Sequence, residues 1–219
     1  KPNGNWDFQY GFHYSETSPY GRYDRHNRIK NELPHYAEWS YGPQKWMMNM
    51  INISHKNKSL LYDEFSLRLS QQSFEESRID RGLNNNSRSI RTEEVEAYSF
   101  NLDFIKQIGS RHTLFFGGEY VLNQVNSTGV TEDISTGIKQ SGPSRYPKSD
   151  WSSLAVYINN NFNLNEKTIL QAGLRYNQFL LNADFDTSFY SFPFQNASLN
   201  NGAITGSLGM VYRPTEKWI

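Results

Sequence analysis

The sequence contains no cysteine, no excess of either charge and no long hydrophobic run, and each absence argues against a class of protein. Without cysteine, the chain of 219 residues has no disulfides, no catalytic thiolate and no cysteine-ligated metal site. Its 22 basic and 22 acidic residues give a net charge of zero, which argues against the basic surface of a nucleic-acid-binding protein. No apolar run approaches the ~18 residues of a transmembrane helix, so a spanning helix is excluded.

Aromatic residues, by contrast, are abundant within a hydrophilic average. They make up 15% of the chain, and the mean hydropathy is −0.74. A strand of a transmembrane β-barrel carries apolar side chains only at alternate positions, so its mean hydropathy stays low although the lipid-facing wall is apolar. The composition is therefore compatible with a membrane barrel.

Residues 95–125 predict a β-hairpin with one apolar face. The apolar positions of both limbs have even numbers: Tyr98, Phe100, Leu102, Phe104, Leu114, Phe116, Tyr120 and Leu122. Opposed residues of an antiparallel hairpin have a constant sum of position numbers, so an even sum places all of them on one face. If the turn pairs Phe104 with Leu114, the ring of Phe100 covers the backbone at Gly118.

Period-two patterns predict about eight strands, with long and short connections in alternation. The strands are expected at about 5–14, 45–54, 60–73, the two limbs of the 95–125 hairpin, 151–162, 168–182 and 203–212. Long connections are expected at 15–44, 74–93, 126–150 and 183–202, and short ones at 55–59, 106–111, 163–167 and 213–217. All eight prolines are expected outside strands, and aromatic residues near strand ends are expected at membrane interfaces: Trp6, Trp46, Trp151, Phe162 and Tyr212. Long loops at one end and short turns at the other are typical of an outer-membrane barrel.

Several segments resemble the barrels of TonB-dependent outer-membrane receptors. They are WSSLAVYI at 151–158, FNLNEKTILQAGLRY at 162–176, GSLGMVYRPT at 206–215 and HTLFFGGEY at 112–120. The resemblance implies an all-β fold, an antiparallel up-and-down transmembrane β-barrel segment with about eight strands of a larger, 22-stranded barrel. Residues 1–219 would form part of this single barrel domain, without the plug domain and the TonB box, and a ninth strand would begin at 218–219.

The resemblance also implies active transport in the bacterial outer membrane rather than catalysis. The expected partners are outer-membrane lipid, a scarce nutrient such as an iron–siderophore or haem, and the inner-membrane TonB complex acting through the plug. Two other interpretations stay open at this point. One is a small complete outer-membrane barrel with a structural or enzymatic role, and the other is a secreted β-rich adhesin.

Few residues stand out as candidates for binding. His35 and Tyr36, both possible axial ligands of haem iron, and Arg145 and Tyr146 are the substrate-binding candidates, because they lie in expected long loops. The alternation predicts that Arg68, Glu119 and Arg175 face the lumen. The five histidines are scattered without the spacing of a metal site, so we expect no metal site, no cofactor and no catalytic set.

Overall fold

A computed structural model of the chain describes residues 4–215, which form almost entirely β-structure. The elements in chain order are β1 (Trp6–Glu16), β2 (Tyr20–Gly21), α1 (Tyr23–His26), β3 (Ile29–Lys30), β4 (Leu33–Pro34), β5 (Tyr36–Lys56), β6 (Glu64–Gly82), β7 (Ser87–Ile108), β8 (His112–Asp133), β9 (Lys139–Gly142), β10 (Lys148–Asn165), β11 (Thr168–Asp184) and β12 (Asn196–Tyr212). Within this part of the chain, no helix has the length and apolar character to span a membrane. The expected ninth strand at 218–219 lies outside the described residues.

Eight long strands form one continuous sheet in the order β1-β5-β6-β7-β8-β10-β11-β12. Each strand is antiparallel to its neighbours. The short strands β2 and β9 pair with β5 and β8, and β3 pairs with β4 in a separate hairpin. The predicted all-β, antiparallel up-and-down fold with eight principal strands is confirmed.

The hairpin β7–β8 has the predicted even parity but a different register. Phe104 lies opposite Phe116, and Phe100 lies opposite Tyr120, so the apolar residues share one face. The predicted pairing of Phe104 with Leu114 is wrong by two residues, because the ladder closes at Ile108 and His112 around a turn at 109–111. Gly118 therefore lies opposite Leu102, and no aromatic ring from β7 covers it.

The registers divide the side chains of the sheet between an outer face and an inner face. The outer face, defined by Phe100 and the side chains aligned with it, is apolar, and several of its members are exposed, including Leu174 at 60% and Ile204 at 76%. Within residues 4–215, the buried hydrophobic residues are only Trp39, Ala155 and Ala183. A sheet with an exposed apolar face and almost no core requires an apolar surrounding medium to be stable.

The strands extend well past this apolar band at the long-loop end, the end at which β5, β7 and β10 begin. Strand β6 continues to Gly82 and strand β7 begins at Ser87, so the predicted long loop at 74–93 is wrong and only residues 83–86 connect the two strands. The long connections predicted at 15–44, 126–150 and 183–202 are also shorter than expected, because β5, β8 and β12 extend into them. Ion pairs between neighbouring strands, such as Arg91–Asp80 at 2.9 Å and Lys45–Glu75 at 2.9 Å, accompany the extended ladder. Because both faces are polar there, no apolar alternation marked these strands.

Three residues depart from the predicted pattern inside the long strands. Pro43 was expected outside any strand but lies within β5, where the register with β6 shifts between Tyr41 and Gln44. A bulge leaves a backbone position without a ladder hydrogen bond, so it tolerates proline. Outside the long strands, Pro34 also departs from this expectation, because it ends the short strand β4. Trp46 and Trp151 were expected at a membrane interface, but they lie on the inner face, opposite Phe74 and Asn123.

Candidate functional site

The inner face carries paired polar side chains along the middle of the sheet. Arg68 lies 2.6 Å from Asp103, and Arg175 lies 2.9 Å from Glu119. Arg68, Glu119 and Arg175, predicted to face a lumen, thus share this face, and each guanidinium has a carboxylate partner. The Arg175–Glu119 pair connects β11 with β8 over the buried Ala155 of β10. Each of these charges thus has an opposite charge within 3 Å.

A different arrangement, which we call the arginine–aromatic cluster, lies on the inner face of β5 toward the long-loop end. It consists of Trp39 and Tyr41 of β5 with Arg22, Arg25 and Arg78. Trp39 and Tyr41 are two residues apart on one strand, so they project to the same face, and their rings meet edge to face at 5.0 Å. Trp39 is only 6% exposed, which is exceptional in a sheet with almost no buried core.

Three guanidinium groups surround the indole of Trp39. The Cζ atoms of Arg22, Arg25 and Arg78 lie 5.3, 5.5 and 5.4 Å from its ring centroid. The Nη atoms of Arg22 and Arg78 each donate a hydrogen bond of 3.1 Å to the hydroxyl of Tyr41. A cation over an aromatic face is attracted by the ring quadrupole, so two rings hold three like charges close together.

Asp24 is the carboxylate that forms ion pairs with this cluster. Asp24 pairs with Arg22 at 2.7 Å and with Arg25 at 3.7 Å. Within residues 4–215, the buried Nε atoms of Arg25 and Arg78 have no hydrogen-bond acceptor. Unsatisfied buried donors are costly, and a planar, multiply donating guanidinium is suited to binding carboxylate or phosphate groups. Because one aspartate pairs with two of its three guanidinium groups, the cluster has a positive charge that can attract an anion.

Next to the cluster, residues 143–147 form a segment that we call the strap, which crosses the inner face. The backbone N–H groups of Arg145 and Tyr146 donate to the hydroxyl of Ser127 on β8 at 3.2 and 3.3 Å. The guanidinium of Arg145 lies 3.5 Å from Glu93 and 4.0 Å from Glu76. The hydroxyl of Ser127 and the charge of Arg145 thus connect the strap to the sheet.

Glu93 is the buried carboxylate beneath the strap. It is 6% exposed, and within the described part of the chain its Oε1 atom has no hydrogen-bond donor. Burial raises the pKa of Glu93 above its ordinary value, and Glu76 adds to this, whereas the charges of Arg145 and Arg78 oppose it. Glu93 lies beyond the apolar band, because the outer-face positions beside it are Glu94 and Glu96.

On its other side, the strap lines a small aromatic pocket of about 140 Å³. Arg145 and Tyr146 contribute to the wall, together with rings from the segment that follows β11: Phe185, Phe189, Tyr190 and Phe192. The Arg145 guanidinium lies 4.8 Å from the Tyr146 ring centroid. Asp186 also lines the pocket, so its wall joins apolar ring surfaces to one positive and one negative charge.

The structure does not bring the four substrate-binding candidates together. Tyr36, expected in a loop, begins β5, and its ring lies 4.3 Å from that of His35. Tyr36 pairs with Gly82 of β6, six residues beyond Glu76, which Arg145 contacts. At ~3.3 Å per residue the separation along β6 is about 20 Å. Within residues 4–215, no group of three His, Cys, Asp or Glu side chains could hold a metal ion.

The residues that the sequence did not single out are those of the arginine–aromatic cluster and Glu93. Trp39 and Tyr41 have the period-two spacing of a strand, and that signal could have extended the second predicted strand toward residue 36. The convergence of Arg22 and Arg25 on Trp39 follows from the pairing of β2 with β5. A two-residue strand leaves no recognisable pattern in a sequence.

A protein-family model described as "TonB dependent receptor-like, beta-barrel" matches residues 1–219. No curated protein sequence matches the chain significantly. The fold is similar to several solved structures at low sequence identity, so these similarities concern the fold alone.

Three of these structures show the extent of the similarity. The ferric citrate transporter FecA in its unliganded form is 13% identical, with a TM-score of 0.64 over 98% of this chain and 32% of FecA. The siderophore receptor PiuA from Acinetobacter baumannii is 16% identical, with a TM-score of 0.63 over 96% of this chain and 38% of PiuA. The copper transporter OprC is 10% identical, with a TM-score of 0.64 over 81% of this chain and 29% of OprC. The chain therefore spans about a third of the length of these proteins.

Proposed function

The chain belongs to the TonB-dependent receptor-like β-barrel family, and from this membership we propose that it forms part of the wall of an active transporter. The family consists of bacterial outer-membrane proteins, and the chain is a segment of such a barrel. The proposed transporter binds a scarce nutrient at its extracellular side and imports it through a plugged barrel. It acts as a transport receptor and not as an enzyme.

The proposed orientation follows from the two ends and the two faces of the sheet. The long-loop end is extracellular, because outer-membrane barrels have short periplasmic turns and longer extracellular loops. The apolar outer face contacts lipid, and the inner face, with Arg68, Glu119 and Arg175, lines the lumen. Residues 1–219 all belong to the barrel domain. The plug, through which the inner-membrane TonB complex supplies energy, and the TonB box lie outside this segment.

The arginine–aromatic cluster is the observation that supports a cargo class. It places three guanidinium groups beside one aspartate on the inner face near the extracellular end, where an incoming ligand passes. An iron–siderophore complex or haem, each of which carries anionic oxygens, fits this chemistry. FecA and PiuA, which share the fold, are named for ferric citrate and a siderophore. Arg145 and Tyr146 in the strap, and His35 and Tyr36 at the tip of β5, would contact the cargo around the cluster.

Cargo binding by the full-length receptor in detergent tests this function. The probes are ferric citrate, a ferric catecholate, a ferric hydroxamate and haem, with tryptophan fluorescence as the readout. We expect one of these probes to bind and Arg78→Gln to weaken its binding at least tenfold. Arg91→Gln is the matched control, since Arg91 lies opposite Arg78 but pairs with Asp80 at 2.9 Å.

Two outcomes would contradict the proposal. The first is that the receptor binds none of the four probes and gives no growth advantage on any of them under iron limitation. The second is that Arg78→Gln and Arg91→Gln weaken probe binding equally, which would show that the cluster is not the binding site.

A further inference from the structure

The inner face of β1 and β5 carries a group of soft side chains that the proposed function does not use. The registers place Met48 directly opposite His13, with Met50 opposite Gly11 and Trp46 opposite Ser15. All of these side chains share the inner face, since the alternate rungs between them carry Phe12 and Tyr14 on the outer face. We call His13, Trp46, Met48 and Met50 the methionine–histidine group.

The spacing of this group allows its three donor atoms to converge on one point. Directly opposed residues have Cβ atoms about 4.5–5.5 Å apart, and diagonal neighbours lie about 7–8 Å apart. His13 therefore lies within side-chain reach of Met48 and of Met50. Gly11 has no side chain, and the Met50 methyl group lies 3.5 Å from the position that a Cβ of Gly11 would take. Met50 thus folds toward the strand that carries His13.

Trp46 closes the group on its extracellular side. Its indole lies 4.5 Å from the imidazole of His13, at an angle of 52°. The indole N–H donates a hydrogen bond of 3.2 Å to Gln72 of β6, which fixes the plane of the ring. An aromatic face held in place next to the donors can stabilise a cation through its quadrupole.

The chemistry of these donors selects one kind of metal ion. Two thioethers and an imidazole are soft and intermediate ligands, which favour Cu⁺ over the hard ions that require oxygen donors. The side chains that pair with Met48 and Met50 from β6 are Gln72 and Ser70, both neutral. A site whose directly opposed neighbours are neutral stabilises a monovalent cation with less desolvation cost than a divalent one.

We propose that His13, Met48 and Met50 form a binding site for Cu⁺ on the inner wall of the barrel, with Trp46 packed against the bound ion. This site goes beyond the proposed uptake of an iron chelate. It differs from the arginine–aromatic cluster in its residues, in the chemistry of their side chains and in its ligand. The site binds the ion in its reduced state and requires no redox step.

Copper retention by the full-length receptor in detergent tests the site. The receptor is equilibrated with Cu⁺ under ascorbate, competed against the Cu⁺ chelator bicinchoninate, and analysed for bound metal by mass spectrometry. We expect one Cu⁺ per chain, quenching of tryptophan fluorescence, displacement by Ag⁺ and no displacement by Zn²⁺ or Fe³⁺. The double variant Met48→Leu/Met50→Leu should lose at least tenfold in affinity.

Met47→Leu provides a matched control, since Met47 lies between Trp46 and Met48 on the outer face. It should bind Cu⁺ within twofold of the wild type. Leucine conserves most of the volume of methionine, so the variants are expected to fold, and heat-modifiable migration in gels checks this. If the double variant fails to fold, Met50→Leu alone is measured by the same criterion. The site is overturned if the wild type retains no more Cu⁺ than the methionine variants, or if Met47→Leu loses as much affinity.

Discussion

The hydroxyl of Tyr157 on β10 donates a hydrogen bond to the carboxylate of Asp103 on β7, across the intervening strand β8. The residue of β8 that lies between them is Gly117, which pairs with both. Because Gly117 has no side chain, the tyrosine ring can lie over the backbone of β8. Asp103 also accepts a hydrogen bond of 2.6 Å from Arg68 of β6, so side chains of β6, β7 and β10 are connected at this point of the inner face.

A methyl group at Gly117 should impair barrel assembly. The Cβ of Gly117→Ala would lie 2.9 Å from the Tyr157 hydroxyl and would overlap the Leu102 carbonyl oxygen. Overpacking of this kind costs about 1–3 kcal/mol. We expect several-fold less folded, heat-modifiable receptor in outer membranes. The adjacent control Gly118→Ala places its Cβ 3.5 Å from the nearest atom, an ordinary contact, and equal losses in both variants would refute the prediction.

A charge on the outer face should prevent insertion, whereas the same charge on the inner face should not. Phe100 lies in the apolar band, and a lysine near the centre of a membrane barrel costs about 2–4 kcal/mol on the lipid side. Phe100→Lys should therefore reduce the folded receptor in outer membranes strongly. Asn101→Lys places the same charge directly opposite Glu119 on the inner face and should be tolerated. A soluble β-protein would instead tolerate Phe100→Lys no worse than other core substitutions.

Removal of one hydroxyl should release the strap. Ser127→Ala deletes the acceptor for the N–H groups of Arg145 and Tyr146. With a net value of ~1 kcal/mol for such bonds, trypsin should cleave after Arg145 about fivefold faster in intact cells or in detergent. Ser135→Ala removes an exposed loop hydroxyl that bonds to Asp133 and serves as the control. Unchanged cleavage in Ser127→Ala would show that other contacts hold the strap.

Neutralising Glu93 should change the pH dependence of stability. Burial raises the pKa of Glu93, so the folded chain binds its proton more tightly than the unfolded chain. The contribution of this group to stability is therefore greatest at acid pH and falls as the pH rises through the raised pKa. Glu93→Gln removes this loss of stability at higher pH.

The variant should accordingly be more stable than the wild type at about pH 7. This difference in stability should shrink as the pH falls toward the ordinary glutamate pKa of ~4.3. Urea-unfolding midpoints of the full-length receptor at several pH values measure this. Glu94→Gln, at the exposed neighbouring position on the other face, is the control. A midpoint for Glu93→Gln below that of the wild type at neutral pH would mean that the ion pair with Arg145 outweighs the cost of burial.

The period-two alternation predicted the eight long strands and the apolar face, because each strand obeys it independently of its neighbours. The predicted strand boundaries are wrong where the alternating pattern disappears. Strands β6 and β7 continue past the apolar band with charged residues on both faces, so their ends at Gly82 and Ser87 carried no signal. In the near-continuous apolar run around Met48, the sequence did not show which face of the sheet each residue occupies. The register with β1 determines it.

By itself, the sequence determined the fold class, because alternating apolar residues bury one face of a sheet whatever its neighbours are. Only the tertiary structure decided which side chains meet. Arg22 and Arg78 converge on Trp39 from positions 17 and 39 residues away, and His13 meets Met48 across a strand pair. Such contacts depend on register, and a shift of two residues preserves every feature of the alternation while it changes every partner.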